Sequence, residues 1–599
     1  MATYIRLTDY RDSDSKEQGF FKSENRYEGK QSDFEKIPGS PIAYWVSDRV
    51  KEIFFNNNLI SNISPTRDGI TTGDNDLFIR LWHEVEYKLG LNFKNRNEAQ
   101  KSGLKWFPYS KGGEFRKWFG NIEYVVNWLN DGEDLIKFPK SYPRNKNFYF
   151  NKGITWTLLS TGNSFGVRQL PYGTIFDVNS KCSFPENKEN LEFVLGFLST
   201  KIAYKLLIMI NPTMAFQAGD IAKLPIIFPK QDSIKQTIDI LTQQNIDISK
   251  EEWDSRETSW DFTKNELLRF LGSEALASQE LGGTKVPLPK LEEIYCRYCE
   301  YWREKFYQLH KNEEELNRLF IDIYELQDEL TPDVALKDIT ILKSESIIND
   351  NNELEFKADE IMKQFISYAV GVMFGRYSLD SDGLVVANLG SDALVSQMSD
   401  ETKVSFPIDD DNVIPVLEDD YFSDDIASRV VSFVKTTFGA ENLSENIAFI
   451  EKCLGKTIRA YMVKDFYEDH IKRYKKRPIY WMVSSPKKGF MSLSYMHRYQ
   501  SDLFARVQNN YLREYITKLE GTLTNQEHIA NDSSNSPTQR AKAAKEIDRI
   551  NKKIEELIKF DRESITKFAQ NRIELDLDDG VKANYLKFME ILYPIKGME

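Results

Sequence analysis

Residues 316–330 read LNRLFIDIYELQDEL, and they carry the clearest structural signal in the chain. Apolar side chains recur at i, i+3, i+4, i+7 and i+8, which is the spacing of one face of an α-helix. The residues on that face are Leu316, Leu319, Phe320, Ile323 and Tyr324. Most of the chain from residue 231 onward follows a similar pattern, so we predict that it is largely helical.

A second helical signal near the C-terminus implies a long hairpin. Apolar residues flank the polar segment NDSSNSP (531–537) at spacings of three and four. They are Val507, Tyr511, Tyr515 and Leu519 before it, and Ile547, Ile550, Ile554 and Leu557 after it. Two amphipathic helices joined by a short polar loop pack antiparallel. We therefore predict a helical hairpin over residues 505–570 with its tip at about 530–538.

The first 230 residues have a different character. Short β-rich runs such as TYIRL (3–7), ITWTLL (154–159) and GTIFDV (173–178) alternate with Gly, Asn and Pro, with helical stretches around 41–55 and 190–210. We predict an α+β fold, in which an N-terminal mixed α/β domain precedes a largely helical C-terminal region with the hairpin. The predicted divisions are a front domain at 1–230, a helical middle domain at 231–380, an acidic loop-like linker at 381–420 and a C-terminal helical domain at 421–599.

The net charge of −13 hides an asymmetry between the two parts of the chain. Residues 1–230 hold 31 Lys and Arg against 26 Asp and Glu, whereas the remaining residues hold 48 against 66. A basic, aromatic-rich front is typical of a nucleic-acid-binding module, although a chance distribution of solvated charge would look similar. Four cysteines favour a reducing, cytoplasmic setting. The apolar stretch 193–210 contains Lys201 and Lys205, which favours a buried helix over a membrane span.

Several catalytic signatures are absent from the sequence. Methyl transfer to an exocyclic amine needs a glycine-rich turn for the methyl donor and an Asn/Asp/Ser-Pro-Pro-aromatic loop for a flipped base. None of the 20 prolines is adjacent to another, and no two of the 30 glycines are separated by a single residue. Cys296 and Cys299 form an isolated pair within a predicted helix, and the five histidines are scattered. We therefore assign no catalytic residue, no metal site and no bound cofactor to this chain.

The candidate binding residues lie between positions 64 and 226. GITTGDND (69–76) places glycines, hydroxyls and an amide in one turn that could meet phosphate or a base edge. KWFPYSKGGEFRKWFGN (105–121) mixes cations, which contact phosphates, with aromatics, which stack on extruded bases or simply form core. The candidate DNA contacts are Thr72, Gly73, Asn75, Lys111, Gly112, Gly113, Arg116, Lys117 and Arg168. Each has an ordinary structural alternative, such as a strand edge for Arg168 or a solvated turn for Lys111.

These same blocks carry a resemblance to a known family. Together with FYFNKGITWTLLST (148–161), SFGVRQLPYGTIFD (164–177) and NPTMAFQAGDIAKLPI (211–226), they resemble in order the target-recognition region of PglX, the adenine-specific DNA methyltransferase of BREX phage defence. The resemblance continues through ISKEEWDSRETSWDF (248–262), LNRLFIDIYELQDEL (316–330), ISYAVGVMFGRYSLD (366–380), KRPIYWMVSSPKKG (476–489), SYMHRY (494–499) and DGVKANYLKF (579–588). It covers nearly the whole chain.

The resemblance implies a DNA-specificity role without catalysis by this chain. In the family, S-adenosylmethionine and the Asn-Pro-Pro-Tyr loop belong to an N-terminal catalytic domain, which we expect this chain to lack. The expected partners are double-stranded DNA, a catalytic methyltransferase domain or subunit and other BREX proteins, with no membrane. Two alternatives remain open: a truncated methyltransferase named by homology, or a non-catalytic scaffold of the defence complex.

Overall fold

The computed structural model describes residues 2–159, 165–272, 288–388, 392–402 and 404–598. Small sheets occupy the front of the chain and helices dominate from residue 232 onward, which confirms the predicted α+β class. The predicted helical face in LNRLFIDIYELQDEL is also confirmed, because Leu316, Phe320 and Tyr324 are buried in one long helix.

The front part is built around two four-stranded sheets. Their strand orders are β3-β10-β7-β8 and β4-β6-β5-β9, and every pairing is antiparallel except the parallel contact between β5 and β9. The front strands are β1 (Ala2–Ile5), β2 (Arg26–Gly29), β3 (Thr66–Arg67), β4 (Ile79–Leu81), β5 (Trp106–Ser110), β6 (Tyr124–Asn127), β7 (Gly153–Thr157), β8 (Val167–Leu170), β9 (Ile175–Phe176) and β10 (Ser180–Ser183). The front helices are α1 (Ser13–Phe20), α2 (Gln31–Phe34), α3 (Asp48–Asn56), α4 (Asn75–Phe78), α5 (Arg96–Ser102), α6 (Leu129–Lys137), α7 (Leu191–Leu198), α8 (Lys201–Ile210) and α9 (Ala218–Ala222).

The remainder is helical apart from two small sheets, β11-β12 and β13-β15-β14. Its strands are β11 (Ser346–Ile348), β12 (Leu354–Phe356), β13 (Ile414–Pro415), β14 (Tyr480–Ser484) and β15 (Met491–Tyr495). Its named helices are α10 (Asp232–Asp254), α11 (Leu291–Tyr324), α12 (Ala358–Met373), α13 (Asp392–Met398), α14 (Ile426–Phe438), α15 (Leu443–Leu454), α16 (Ile458–Lys464), α17 (Phe466–Arg473), α18 (Leu503–Arg506), α19 (Arg513–Asn531), α20 (Pro537–Phe560), α21 (Thr566–Asn571) and α22 (Gly580–Leu586).

The predicted hairpin is confirmed. Helices α19 and α20 pack against each other and are joined by a tip of five residues, 532–536. Ser536 caps α20 by accepting from the Gln539 backbone amide, Gln539 returns a contact to the Ser536 amide, and Pro537 occupies the first helical turn. This pairing satisfies amide donors that a helix start otherwise leaves exposed, so the polar sequence NSPTQ sets the turn.

A continuous hydrophobic core connects all parts of the chain. One cluster contains Trp156 of the front, Trp302 of the middle and Trp481 of the C-terminal part. A separate cluster lies under the β4-β6-β5-β9 sheet and includes Phe107, Val126 and Phe176. Apolar contacts cross positions 230, 380 and 420, so the core does not mark a boundary at any of them. The predicted divisions there stay predictions.

Among the described helices, no single one is long and apolar enough to cross a membrane. Residues 188–198 and 201–210 reach that composition only as a pair, which is bent by 77°.

The described part of the acidic segment 381–420 packs against the core, although residues 389–391 and 403 lie outside the described ranges. Val413, Ile414 and Val416 are buried there, and so is the Asp409 carboxyl, which is 4% exposed. Asp409 accepts a hydrogen bond from the Val413 amide (3.0 Å), and a carboxylate oxygen of Asp411 lies within 4.8 Å of one of its own. Burial, and then the neighbouring Asp411 charge, raises the pKa of Asp409.

Replacing Asp409 by Asn is expected to stabilise the protein increasingly as the pH rises. A carboxyl whose pKa is raised in the folded state loses stability above the pKa of the unfolded chain, near 3.9, because only the unfolded form ionises freely. Asn stays neutral and still offers an N–H to Asp411. We expect Asp409→Asn to raise the Tm by a few degrees at pH 7.5 and by less at pH 4.5. The exposed neighbour change Asp410→Asn is the control. A Tm of Asp409→Asn below that of wild type at both pH values would contradict the raised pKa of Asp409.

Candidate nucleic-acid interface

The segment GITTGDND forms a tight turn that leads into α4. Asp74 caps α4 by accepting from the Leu77 amide (3.1 Å), and the buried Thr72 hydroxyl donates to the Asn75 side-chain oxygen (2.8 Å). Gly73 has φ +76°, and a Cβ there would lie 2.6 Å from the Lys140 backbone. Thr72 and Gly73 therefore shape the turn, while Asn75 is exposed on its surface.

The glycine pair after β5 makes a second tight turn, next to Lys111. Gly112 and Gly113 have φ of +89° and +142°, and a Cβ on Gly113 would lie 2.8 Å from the Asn121 side chain. Glycine therefore allows this turn to pack closely against the protein itself, and a DNA contact by the pair stays a prediction. Lys111 lies over the Tyr124 ring, with its Nζ 5.2 Å from the ring centroid. Burial lowers the pKa of Lys111.

Asn75 and Lys111 line one cleft of about 400 Å³, which we call the basic cleft. It lies between the β4-β6-β5-β9 sheet and two parts of the C-terminal region, the loop after α17 and helix α22. Five cationic side chains line it against three acidic ones. The cations are Arg80, Lys111, Lys475, Arg477 and Lys582, and the acids are Asp76, Glu84 and Asp579.

Some of these cations are paired and others are not. Lys582 pairs with Asp76 (3.2 Å), Lys475 with Glu123, and Arg477 lies 3.6 Å from Glu84. Lys111, in contrast, has no carboxylate within ion-pair distance in the part of the chain that the structure describes. Since a half-buried cation without an anion is costly, Lys111 is the lining group best suited to take a phosphate oxygen.

Glu84 joins the two walls of the basic cleft. Its buried carboxylate accepts from the Leu81 amide (2.8 Å) in the front part and from the Val581 amide (3.0 Å) at the start of α22. Burial raises the pKa of Glu84. Gly580 has φ +82°, and a Cβ there would lie 2.5 Å from the Arg80 guanidinium, so glycine lets α22 approach this closely. The fold thus fixes the cleft on both sides.

The other three cationic candidates point into the protein. Arg116 binds Glu252 (2.5 Å) and the Phe119 carbonyl (2.6 Å), and Lys117 pairs with Glu313 (2.7 Å). Arg168 is 1% exposed and donates to the Arg116 carbonyl (3.2 Å). Burial, and then the Arg116 charge, lowers the pKa of Arg168 to about 10. These charges join the front part to the helical middle or brace the β7-β8 edge, and a DNA contact by them stays a prediction.

The aromatic residues of KWFPYSKGGEFRKWFGN are mostly core. Trp106, Phe107, Tyr109, Trp118 and Phe119 are all 3% exposed or less. Of the two interpretations of these aromatics, the structure favours core formation, because buried rings offer no face to an extruded base.

Four cations of the basic cleft were not among the predicted contacts: Arg80, Lys475, Arg477 and Lys582. The basic run KKR (475–477) was the available signal, and the other two are isolated charges. Lys475, Arg477 and Lys582 were missed because the helical part is acidic overall, whereas its contribution to the cleft is locally basic. Arg80 was missed because an isolated arginine has no local signal.

Comparison with known proteins shows which class of protein the chain resembles. Over nearly its whole length, it is similar to adenine-specific methyltransferases. It is 38% identical over 624 residues to adenine-specific methyltransferase PglX of Lacticaseibacillus casei (strain Zhang), covering 100% of this chain and 49% of that protein. It is 36% identical over 591 residues to adenine-specific methyltransferase BrxX of Escherichia coli O9:H4 (strain HS), covering 95% of this chain and 46% of that protein. The chain thus spans about half the length of these curated relatives. No family model matches it.

Proposed function

We propose that this chain is the DNA-reading part of a BREX adenine-specific methyltransferase. In this role it binds duplex DNA and positions it for methylation by a catalytic domain that uses S-adenosylmethionine. The observation that carries the proposal is the basic cleft. It occurs in a chain that is similar to about half the length of each of two adenine-specific methyltransferases. The absence of Pro-Pro and Gly-x-Gly from the sequence supports placing catalysis outside this chain.

The proposed contact combines two kinds of group. Lys111, Arg80 and Lys582 would meet backbone phosphates, which set affinity and register without reading sequence. Asn75 would face a base edge, since a side-chain amide can pair with the N6 and N7 atoms of adenine. Its oxygen already accepts from Thr72, which orients the amide nitrogen as a donor.

Lys111→Ala is expected to weaken DNA binding in a salt-dependent way. Loss of one phosphate contact should reduce the slope of log affinity against log salt by about 1 and weaken binding several-fold at low salt. The measurement is fluorescence anisotropy with a labelled duplex at several salt concentrations. Lys137→Ala, an exposed lysine of the front part paired with Glu133, is the matched control.

The function itself is tested by methyl transfer. We expect no transfer from labelled S-adenosylmethionine by the chain alone, and adenine methylation when a separately expressed PglX-type catalytic half is added. Transfer by the chain alone would refute the division of labour. If the mixture neither retains DNA nor transfers methyl groups, the DNA-reading role is refuted. If Lys111→Ala has the same slope of log affinity against log salt as wild type, the basic cleft is not the DNA-binding surface.

A further inference from the structure

Residues 135–176 contain six cationic side chains and neither Asp nor Glu. Acidic residues occupy 92 of the 599 positions of the chain, so a stretch of this length without any departs from its average composition. A segment that carries only positive charge is typical of protein that approaches phosphate. Three of the cations lie in the loop 139–147, which follows α6 and which we call the basic loop. They are Lys140, Arg144 and Lys146.

The basic loop is fixed against the turn GITTGDND (69–76). The Tyr142 amide donates to the Thr71 carbonyl (2.8 Å), and the Thr71 amide donates to the Tyr142 carbonyl (3.2 Å). The Asn145 side chain donates to the backbone carbonyl just before the turn (2.8 Å). Loop and turn therefore form one surface, which continues into the basic cleft through the turn.

Tyr142 is the exposed aromatic residue of this surface. It is 59% exposed, and no other aromatic residue in the described ranges between positions 64 and 226 is as exposed. The Arg144 guanidinium lies 4.5 Å from the Tyr142 ring centroid and helps to orient the ring. Because the aromatic rings of 105–121 are mostly buried, Tyr142 provides the face that they cannot offer to a base.

The charges around Tyr142 favour a phosphate backbone. Lys140 and Lys146 have no carboxylate within ion-pair distance in the part of the chain that the structure describes. The neighbouring acids are already engaged, since Asp68 is held by two cations (2.6 and 3.7 Å) and Asp76 is paired across the basic cleft (3.2 Å). Asp74 caps α4. The unpaired charge of this surface is therefore positive.

We propose that Tyr142 stacks on an unstacked base of the bound DNA, while Lys140 and Lys146 contact the phosphates of that strand. Chemistry on the amine of adenine requires the base to leave the helical stack, which uncovers the faces of its neighbours. A ring that the fold already holds in place covers such a face without ordering a new loop. Tyr142 is thus a positioning residue that favours opened DNA. This inference rests on the proposed DNA-reading function.

Fluorescence anisotropy with the full chain tests the role of Tyr142. A labelled duplex is compared with the same duplex carrying one abasic position, where the surrounding bases have lost a stacking partner. We expect wild type to bind the abasic duplex at least about fivefold more tightly. Tyr142→Ala should bind both duplexes equally, whereas Tyr142→Phe should keep the preference because a phenyl ring also stacks. Tyr307→Ala, an exposed tyrosine of α11, is the matched control and should keep it as well.

The lysines of the basic loop are tested by the salt dependence. Lys140→Ala combined with Lys146→Ala should lower the slope of log affinity against log salt by about 2 for both duplexes. Both side chains lie on the surface of the loop, so the Tm of the free protein should stay that of wild type. A slope equal to that of wild type would remove the basic loop from the DNA contact.

Two further results would overturn the inference. One is equal binding of the paired and abasic duplexes by wild type, and the other is a preference for the abasic duplex that Tyr142→Ala retains. Both leave the proposed function standing when the paired duplex is bound and Lys111→Ala weakens that binding. Absence of binding to either duplex would instead refute the proposed function, and this inference with it.

Discussion

Glu252→Ala is expected to destabilise the protein by about 3–5 kcal/mol, the usual cost of removing one partner from a buried ion pair. Glu252 is 4% exposed and lies between Arg116 of the front part (2.5 Å) and Arg256 of the middle (3.1 Å). Burial alone would raise the pKa of Glu252, but the two guanidinium groups outweigh it and lower the pKa to about 2. Removing the carboxylate leaves both cations buried with less compensation.

Chemical unfolding followed by tryptophan fluorescence measures this effect at the first transition, because a chain of this size need not unfold in one step. The neighbouring Glu251→Ala is the matched control. Glu251 contacts Tyr301, Lys305 and Arg269 while 31% exposed, and an exposed pair contributes about 1 kcal/mol or less. If Glu252→Ala lowers the unfolding free energy no more than Glu251→Ala does, the ion pairs of Glu252 with Arg116 and Arg256 do not hold the front part to the middle.

The helical architecture was predictable because it depends on local periodicity. The spacing of Leu316, Phe320 and Tyr324 follows the helix repeat, and NDSSNSP interrupts a repeat that is regular on both sides. Neither feature requires knowledge of distant contacts. The acidic segment was harder, because composition suggested a solvated loop whereas Asp409, Val413 and Val416 of this segment are buried.

The candidate site was predictable only in part, because its walls come from residues as far apart in the sequence as Asn75 and Leu586. Asn75 and Lys111 were predicted from turn chemistry and charge, and they do line one cleft. Lys475 and Lys582 complete that cleft, but nothing in their local sequence links them to the front. Conversely, Arg116 and Lys117 have the composition of phosphate contacts, yet Glu252 and Glu313 of the helical middle bind them. Sequence shows which charges exist, whereas only the fold shows which are already neutralised.

Acidification is expected to loosen the contact between the front and C-terminal parts through three buried histidines. His83, His470 and His497 are each 3% exposed or less. Burial lowers the pKa of all three, with the nearby Arg376 charge adding to it, and the pKa of His497 falls to about 3. His470 also faces the Arg473 charge. The fully buried Arg376 donates to the Tyr495 hydroxyl (3.1 Å) and lies over the Trp82 ring, so both parts enclose it.

The sign follows from which state binds more protons. In the folded protein these imidazoles stay neutral, whereas in the unfolded chain they take up protons below about pH 6.5. Stability is therefore full above pH 6.5 and is lost as the pH falls toward 3, by about 1.4 kcal/mol per pH unit for each histidine. We expect the free energy of unfolding to fall steeply between pH 6 and pH 4.5, measured by chemical unfolding across that range.

A single substitution separates the histidines from the many carboxylates that also titrate in acid. His497→Gln can keep a hydrogen bond to the Val85 carbonyl, which the His497 ring contacts at 3.2 Å, but it cannot take a proton. It should therefore reduce the slope of the unfolding free energy against pH in acid by the equivalent of about one proton. It should also cost some stability at pH 7.5. His528→Gln, on the exposed face of the hairpin, should leave the slope unchanged. If the unfolding free energy of His497→Gln changes with pH as steeply as that of His528→Gln, the carboxylates alone carry the acid sensitivity. In that case Arg376 and the three histidines join the two parts without responding to pH.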